Sequence, residues 1–456
     1  MKTLGYHCTL PIVAAFFCLL GLASAEAAPE IPAAAGSPPI TNTFAAIDLP
    51  TVLRLAGAQN LDVQIAIQRL KEASANRSSA TALFLPSISP GITYHRRDGM
   101  AQAVPAGTVS ETHLESYSPG GAIAAQVNIG DAIYQSLAAK QLVEASRQGL
   151  EAQRLDSCFA AAESYFDLVK SKALADVLAE AVNISNDYQK QLHQAVESGI
   201  AFKGDELRVQ TQSQNYQIAR RQALEQQQAA SVTLAQLLHL DSTMELIPEN
   251  GDMVPLKLIP PDAGVASLVQ QALMARPELK QSRALVLAAG DAKKGAVYGP
   301  LIPSVGAQVF VGAFGGGHDN APSNFGASQD YTLGISWKIG PGGLFDSGRV
   351  NASMARLTAA ELTEAKLKES IIADVVRKHN RAQSLLEQIT LTERKLTTAG
   401  ETLRLTRERK QFGVGIVLED IQAQQELTKA RSDYLSAISE FNKAEFALSS
   451  ALGKAR

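Results

Sequence analysis

Cysteine is scarce in this sequence, and its positions exclude a framework of disulfide bonds. The 456 residues include only 3 cysteines. Cys8 and Cys18 lie in an apolar N-terminal stretch that is typical of a removable signal, so the mature chain retains Cys158 alone. A single thiol forms no intrachain disulfide, and no cysteine pair is present to bind zinc. Cys158 falls within a helical pattern, where we expect a small packed apolar residue.

An excess of charge of either sign is also lacking, which argues against a nucleic-acid-binding protein. The formal net charge is -3, whereas a nucleic-acid interface needs a basic face. The 7 histidines are scattered, and neither a His-Glu-x-x-His nor a Gly-x-Ser-x-Gly motif is present. We therefore expect no catalytic residues, no metal site, no cofactor and no nucleic-acid partner.

Long hydrophobic runs are absent beyond the N-terminus, and the run at the N-terminus is short. Lys2 precedes the apolar segment 10–22, and small residues at 23–25 suit cleavage. This pattern predicts a secretory signal at residues 1–25. The alternative, an N-terminal membrane anchor, requires about 20 apolar residues. The proline-bearing segment 26–47 is expected to be an extended or flexible arm.

The most informative feature that is present is an internal duplication. A Leu-Pro pair at 85–86 corresponds to an Ile-Pro pair at 302–303, and Gly199 corresponds to Gly413. Each of these glycines is followed by two acids and an aliphatic residue at the same spacing. A repeat this long indicates the architecture more strongly than any single motif does. It divides the chain into a first repeat at 48–240, a proline-bearing equatorial linker at 241–263 and a second repeat at 264–456.

Each repeat carries two segments in which apolar residues alternate with small or polar residues. In the clearest of them, Tyr331, Leu333 and Ile335 share one face. One apolar face over about 9–11 residues is typical of a barrel strand between lipid and a water-filled lumen. A half-buried sheet of a soluble protein shows the same alternation. The apolar seams of the flanking helices are expected to pack against each other rather than against a sheet. The apolar faces of the strands are then left without a protein cover, which favours the interpretation as membrane strands. The four strands are predicted at about 87–97, 120–130, 303–314 and 329–340.

Four strands are too few to close a membrane barrel. Known closed barrels begin at about eight strands, and lipid does not tolerate open sheet edges. The missing strands must therefore come from other copies of the chain. Three copies with cyclic symmetry give twelve strands, whereas two copies would give eight and leave little lumen. The connections 98–118 and 315–328 are rich in Gly, Ser, Pro and Asn, and we expect them to be long external loops.

The remainder of each repeat is predicted to be helical. Leu155, Phe159 and Ala162 begin a seam in which apolar residues recur at alternating spacings of four and three, and Leu385 begins the same pattern in the second repeat. A helix of about 65 residues is about 100 Å long. A soluble coiled-coil rod explains such helices but not the four strands. The helices are expected at about 50–83, 131–198, 204–239, 265–297, 346–412 and 417–452.

The turns between the long helices carry apolar residues that a protruding end would expose. These are Ile200 and Phe202 in the first turn, and Val414 and Ile416 in the second. Exposed apolar residues at a tip suggest a partner that covers them. The acids that follow, Asp205 and Glu206 in the first repeat and Glu419 and Asp420 in the second, suit the positive N-terminus of the next helix. A role as helix caps and a role in a pore both remain open for these acids.

With its duplication, its proline corners before each strand pair and its glycine-plus-acid tip turns, the chain resembles the TolC-like outer-membrane factors. The resemblance covers nearly the whole mature chain. It implies a mainly α fold, with a long antiparallel coiled-coil tunnel and four membrane strands per protomer, which closes a twelve-stranded barrel as a homotrimer. It also implies location in the outer membrane of a Gram-negative cell, in contact with its lipid, with a large periplasmic helical part. Tyr94, Tyr331 and Trp337 lie where interfacial aromatic residues are expected.

The resemblance further implies how the tips work. Glu419, with Asp205 as its counterpart, matches an acidic constriction ring that would attract cations, and Lys410 lies where family members hold a closing residue. Gly415 and Gln422 also depart from the family pattern, and Lys410 is an alternative partner for an acid of a neighbouring helix. The tips that dock a periplasmic adaptor (membrane fusion) protein would be Gly199, Ile200, Ala201, Phe202, Gly413, Val414, Gly415 and Ile416.

The function expected from these features is a passive exit duct of a tripartite efflux pump or a type I secretion system. An inner-membrane pump of the RND, ABC or MFS type would supply the energy. A structural coiled-coil protein of the cell envelope is the alternative. It predicts neither conductance nor strands within a membrane.

Overall fold

The structure is a computed structural model that describes residues 44–85, 87–102, 107–249, 253–260, 263–318, 325–411 and 416–454. Most of the described residues are helical. The helices are α1 (Leu49–Gln59), α2 (Leu61–Ala82), α3 (Ile129–Glu197), α4 (Lys203–Leu237), α5 (Val265–Ala275), α6 (Pro277–Tyr298), α7 (Ser347–Gln411) and α8 (Val417–Ala451). The strands are β1 (Phe44–Ile47), β2 (Ser87–Gln102), β3 (Val109–Asn128), β4 (Glu245–Pro248), β5 (Ser304–His318) and β6 (Gly326–Ser336).

The duplication is visible in the order of these elements. Two short helices, two strands and two long helices follow one another in each repeat. The helices α3 and α7 contain 69 and 65 residues, which corresponds to lengths of about 100 Å. Along the predicted seams, Phe166, Val169, Leu385 and Ile389 are buried. The mainly α fold with one four-stranded sheet and an internal duplication is therefore confirmed.

The first helix of each repeat is broken in two, which differs from the single helices expected at 50–83 and 265–297. The breaks lie at Asn60 and Arg276, whose ψ values of 134° and 124° are outside the helical range. Asn60 caps α2 by accepting a hydrogen bond from the Asp62 amide at 2.8 Å. Arg276 precedes a proline, and the residue before a proline is disfavoured in a helix.

The two break residues have the same structural role. The Asn60 side-chain amide donates to the carbonyl of Leu237 at 2.9 Å. The Arg276 guanidinium donates to the carbonyl of Ala451 at 2.6 Å. Each acceptor belongs to the last turn of the long helix that ends the same repeat, where carbonyl groups lack partners within the helix. Each repeat thus ties its own beginning to its own end.

The membrane-type strands form one antiparallel sheet in the order β2-β3-β5-β6. Strands β2 and β3 pair from Ser87 with Ala124 to Gln102 with Val109. The prediction of a long loop at 98–118 is therefore wrong, and much of that segment is strand. The reason is that charged cross-strand contacts replace the apolar alternation there. Arg96 contacts Glu115 at 3.1 Å and His113 contacts Asp98 at 2.9 Å.

The second connection is also shorter than the predicted 315–328. Strand β5 continues to His318, and β6 begins at Gly326. The intervening residues 319–324 lie outside the described ranges. Strand β6 ends at Ser336, so Trp337 lies just beyond it rather than within it.

A small parallel sheet joins the start of the described chain to the linker between the repeats. Residues 44–47 of the predicted arm form β1, which pairs with β4 from Phe44 with Glu245 to Ile47 with Pro248. The rest of that arm lies outside the described residues. Around this sheet, Ile47 and Leu246 pack with buried residues of α3, α4 and α8. Both repeats therefore contribute to one apolar core at this level.

None of the helices in the described part of the chain combines the length and the apolar character that a membrane crossing requires.

Candidate docking and constriction site at the helix turns

The first tip turn links α3 to α4 and exposes two large apolar side chains. Gly199 adopts a φ of 74°, a conformation that a residue with a side chain rarely takes. The Ile200 amide donates to the carbonyl of Ala195 at 2.8 Å, which closes the end of α3. The exposed fractions of Ile200 and Phe202 are 83% and 73%. Ala201, in contrast, packs on the apolar cluster beneath the turn.

The second tip turn links α7 to α8, and most of it lies outside the described residues. This applies to Gly413, Val414 and Gly415, and also to the side chain of Lys410. Ile416 is described and exposed. Below the turns, Leu192, Val209 and Ile421 form a buried apolar cluster. This cluster places α3 and α4 of the first repeat against α8 of the second.

The first acid after each tip glycine is ion-paired within the chain. Asp205 contacts Arg208 of its own helix at 3.0 Å. Glu419 contacts Arg409 at 3.3 Å, across the turn between α7 and α8. Both acids lie in the first turn of their helices, where a negative charge favours the helix N-terminus. In a single copy, each predicted constriction acid therefore has a basic neighbour.

The second acid of the first repeat, Glu206, is buried and held by two basic side chains. Lys203 contacts it at 2.6 Å and His193 contacts it at 2.9 Å. The hydrogen bond from Lys203, followed by the one from His193, holds the pKa of Glu206 below its ordinary value. His193 also lies 3.3 Å from Glu197. This cluster links α3 to α4 directly beneath the exposed turn.

The second acid of the second repeat, Asp420, is buried as well. Its carboxylate lies 3.9 Å from the Arg407 guanidinium. Burial, and then the charge of Asp420, raise the pKa of the Tyr188 phenol on α3. A cavity of about 570 Å³ adjoins these three residues, and its lining also includes Tyr216 and Gln424. The two coiled coils of one chain thus meet at a polar contact beside an open cavity.

Tyr188 and Arg407 were not among the residues expected at the tips, whereas Glu206 and Asp420 were expected as helix caps or pore acids and not as buried ion-pair partners. A signal for Glu206 was present, because it begins the series Glu206, Val209, Ser213 and Tyr216, whose members recur at seam spacing and are all buried. An acid at a seam position indicates a buried partner. For Tyr188 and Arg407 the sequence offers no such signal, since their contacts depend on how the two coiled coils pack.

The aromatic residues expected at a membrane interface lie on or beside the sheet. Tyr94 is exposed, and its ring centroid lies 5.1 Å from that of Tyr117. Tyr331 is also exposed, as is Leu333 on the same face, with an exposed fraction of 79%. Trp337 donates from its indole nitrogen to the carbonyl of Leu301 at 3.3 Å. The sheet therefore presents an uncovered apolar face with aromatic residues, as a lipid-facing strand does.

A family comparison agrees with this arrangement. The model of the outer membrane efflux protein family matches residues 52–239 and 268–454, one match in each repeat. The chain belongs to the outer membrane efflux protein family. The resemblance to TolC-like outer-membrane factors is thereby confirmed, as are the outer-membrane location and the efflux function. The family is one of channels rather than enzymes, and nothing supports the alternative of a structural coiled-coil protein.

Solved structures of low sequence identity share the fold of this outer membrane efflux protein. The CmeC outer membrane channel of Campylobacter jejuni matches with a TM-score of 0.74 and 16% identity, over 89% of this chain and 85% of that chain. The outer membrane protein VceC of Vibrio cholerae matches with a TM-score of 0.71 and 18% identity, over 89% of this chain and 96% of that chain. The open-state MtrE outer membrane channel of Neisseria gonorrhoeae gives a TM-score of 0.68 and 18% identity, over 89% of both chains. No curated protein matches the sequence.

Proposed function

We propose that this outer membrane efflux protein works as a homotrimeric exit duct, either of a tripartite efflux pump or of a type I secretion system. The supporting observation is that the four strands of one copy form only an open part of a barrel, which we call the arc. Its sheet has two edges, β2 and β6, that pair with nothing in the described chain. Lipid does not tolerate such open edges, and three copies would give twelve strands.

The helices support the same arc. Helix α2 packs on α3, α3 packs on α6, and α6 packs on α7, so the helices follow the order of the strands to which they connect. The two outer helices, α2 and α7, continue from the two edge strands. Repetition of this unit about a threefold axis would close a barrel and a helical tunnel together. Cargo would move through the tunnel passively, and the inner-membrane pump would supply the energy.

The exposed tip residues would dock the periplasmic adaptor. Ile200, Phe202 and Ile416 have no apolar cover in the described chain, and an adaptor that buries them would gain the free energy of their transfer from water. Gly199, Ala201, Gly413, Val414 and Gly415 complete the two turns. The adaptor would then connect the duct to an inner-membrane pump of the RND, ABC or MFS type.

The acids behind the tips would line the constriction. Three copies of Glu419, with Asp205 nearby, would form a ring of negative charge whose strength depends on Arg409 and Arg208. Lys410 would be a further basic group at this level. The ring would favour cations at the narrow end, because carboxylates at a pore attract ions of opposite charge.

The test is the oligomeric mass of the mature protein, extracted from an outer-membrane fraction in mild detergent, together with its conductance in a planar bilayer. We expect a mass of three chains and discrete channel openings. A monomer without conductance, or recovery of the protein from the soluble fraction, would overturn both the trimer and the duct.

A further inference from the structure

The turn between β6 and α7 presents an aromatic side chain in an unfavourable backbone conformation. Phe345 has a φ of 68° and is 89% exposed. Two glycines of the same turn, Gly340 and Gly342, also have positive φ values, of 106° and 75°. Glycine takes this conformation without the steric penalty that a side chain brings. At position 345 the chain nevertheless carries phenylalanine, with its ring in the open.

The backbone at Phe345 is fixed from both sides. Before it, the Leu344 amide donates to the carbonyl of Lys338 at 2.8 Å, which closes the turn. After it, the Asp346 carboxylate accepts from the amides of Gly342 and Arg349 at 2.7 and 2.9 Å and caps α7. These contacts impose the strained conformation on position 345, whatever residue occupies it. They do not explain why that residue is large and apolar.

A second exposed apolar group lies at the other side of the sheet. Leu83, Phe84 and Leu85 connect α2 to β2, and all three are exposed. We call these three residues the β2 corner. Phe345 is almost fully uncovered within the described chain and the β2 corner is about half covered. Each adjoins an edge strand that pairs with no other strand of the described chain.

The topology brings these two groups to the same level of an assembled trimer. Neighbouring strands of the sheet are antiparallel throughout. Strand β6 therefore runs towards the helices and ends before Phe345, whereas β2 runs away from them and begins after the β2 corner. If β6 of one copy pairs with β2 of the next in the same antiparallel sense, the end of β6 meets the start of β2.

We propose that Phe345 docks on the β2 corner of the neighbouring copy and stabilises the contact between copies at the junction of barrel and tunnel. This inference rests on the proposed trimer, because the partner is a second copy of this chain. The exposed Ile339, which lies between β6 and Phe345, extends the same apolar edge. Burial of the ring against Phe84 and its neighbours offsets the unfavourable backbone of the turn.

Cysteine cross-linking tests the contact directly. Phe345→Cys is combined in turn with Leu83→Cys, Phe84→Cys and Leu85→Cys, in outer-membrane fractions of cells that make the full chain. Cys158 is buried, so its background reaction is small. We expect oxidation of at least one pair to give covalent dimers and trimers, since a disulfide needs Cα atoms within about 7 Å. The single variants, and Phe345→Cys with Ile200→Cys at the distant tip, serve as controls and are expected to stay uncross-linked.

The outcomes separate this inference from the proposed function. Wild-type protein that is trimeric by native mass, with no cross-link in any of the three pairs, would overturn the Phe345 contact and leave the trimer intact. Wild-type protein that is monomeric would overturn the proposed function first. If lipid rather than a second copy covers position 345, Phe345→Trp in a Trp337→Phe background would be quenched by brominated phospholipid. We expect no such quenching.

A glycine variant provides a second measurement. Phe345→Gly removes the ring and also relieves the backbone, so a purely local role predicts a chain at least as stable as the wild type. The proposed contact predicts instead that the trimer dissociates at a lower temperature in detergent, with Phe345→Leu intermediate. Val254→Gly, which removes another exposed apolar side chain away from the sheet and the tips, is expected to leave the dissociation temperature unchanged. A Phe345→Gly trimer as heat-resistant as the wild type would refute the contact.

Discussion

Single side chains at the tips decide how strongly the proposed constriction attracts cations. Glu419 lies 3.3 Å from Arg409, and both side chains are partly exposed. Partly exposed ion pairs contribute only about 0–1 kcal/mol to stability, so either partner is replaceable without loss of the fold. Their charges nevertheless oppose each other at the proposed pore. The pair is therefore suited to a test of pore charge.

We expect Arg409→Ala to increase cation selectivity and Glu419→Ala to decrease it, each by roughly twofold to fivefold, because unit charges a few ångströms apart in water interact with about 1 kcal/mol. Reversal potentials in asymmetric salt would measure the ratio. Glu364→Ala is the matched control, since this acid also pairs with an arginine but lies in the first third of α7, far from the tip. Unchanged selectivity in both tip variants would remove Glu419 from the constriction.

The buried Glu206 makes the first tip sensitive to acid. Its pKa is lowered in the folded chain from an ordinary value of 4.5. The ionised form therefore stabilises the fold above pH 4.5, and this contribution is lost as the pH falls through the lower folded pKa. We expect the protection factors of amides 198–202, which compare each observed exchange rate with the intrinsic rate at the same pH, to be larger at pH 7 than in acid.

The variant Glu206→Gln is expected to exchange faster than the wild type already at pH 7 and to lose most of the acid dependence. Asp205→Asn is the control, because Asp205 pairs only with Arg208 of its own helix among the ion pairs of the described chain. Wild-type acid dependence that persists in Glu206→Gln would assign the effect to another group.

Among the structural elements, the broken first helices show what holds each repeat together. Arg276 joins α5 and α6 to the end of α8 and to Asp374 of α7, which its guanidinium contacts at 2.5 Å. Burial would raise the pKa of Asp374, but hydrogen bonds from Arg276 and Lys378 outweigh it and lower the pKa below 3.8. This contribution to stability is thus present above pH 3.8 and is lost at lower pH.

We expect Arg276→Ala to lower the free energy of local opening around the break by about 1–3 kcal/mol, since the carbonyl of Ala451 and the Asp374 carboxylate lose a buried donor. Hydrogen exchange of residues 272–280 would measure it. Arg283→Ala is the matched control on the same helix, because its contact with Glu364 is partly exposed and is worth about 0–1 kcal/mol. Equal effects of the two variants would contradict the role given to Arg276.

The linker between the repeats is held by one side chain of α8. The Glu445 carboxylate accepts from the amides of Leu258 and Ile259 at 2.9 and 3.0 Å. Burial raises the pKa of Glu445, although the two amides act in the opposite sense. Because the ionised form is the disfavoured one, stability falls as the pH rises from 4.5 through the higher folded pKa.

We expect Glu445→Gln to be tolerated at pH 7, since it keeps an acceptor and loses a buried charge. Glu445→Ala leaves two amides without their acceptor and is expected to cost about 1–3 kcal/mol. The rate of proteolysis within residues 253–260 would report the difference. Faster cleavage in Glu445→Gln than in Glu445→Ala would contradict this account.

Elements whose residues repeat with a clear period were predictable from the sequence. The long helices follow from apolar residues that recur about every three and a half residues, and the four strands from apolar residues at every second position. Both periods depend only on the local backbone and not on how the elements pack. The polar half of the β2–β3 ladder was not predictable in this way, because Arg96 and Glu115 pair across strands and carry no apolar period. The break at Asn60 was hidden since the helical pattern continues through it, whereas Pro277 marked the equivalent break.

The site was predictable to a lesser degree. The exposed tip residues and the first acids follow from the turn and its glycine, which are local features. The pairing of Glu419 with Arg409 and the contact of Tyr188 with Asp420 depend on how helices distant in sequence approach one another. A sequence pattern within one helix holds no information about that approach.

At the scale of the whole molecule, the two ends of the long helices have separate tasks. In the proposed assembly, the sheet and its junction contact lipid and the neighbouring copies, whereas the tips bind the adaptor and form the constriction. Because about 100 Å of helix separates them, substitutions at one end are expected to leave the other unaffected. This separation makes docking testable in intact trimers.

We expect Ile200→Asp and Phe202→Asp to weaken adaptor binding by at least about tenfold, since a central apolar contact typically contributes 1–2 kcal/mol or more. The trimer mass should not change. Val254→Asp, at an exposed apolar residue of the linker, is the control. Binding of the purified adaptor to detergent-extracted trimers would measure the effect, and wild-type affinity in both tip variants would place docking elsewhere.

The small parallel sheet has a consequence for the order in which the chain matures. Strand β1 pairs with β4, from Phe44 with Glu245 onward, so its partner is synthesised about two hundred residues later. During export β1 emerges before β4, and it has no strand partner until the entire first repeat has followed. Contacts so distant in sequence form late, because the loop between them must close first. This sheet therefore cannot close before residues 245–248 have emerged, which follow the whole of the first repeat.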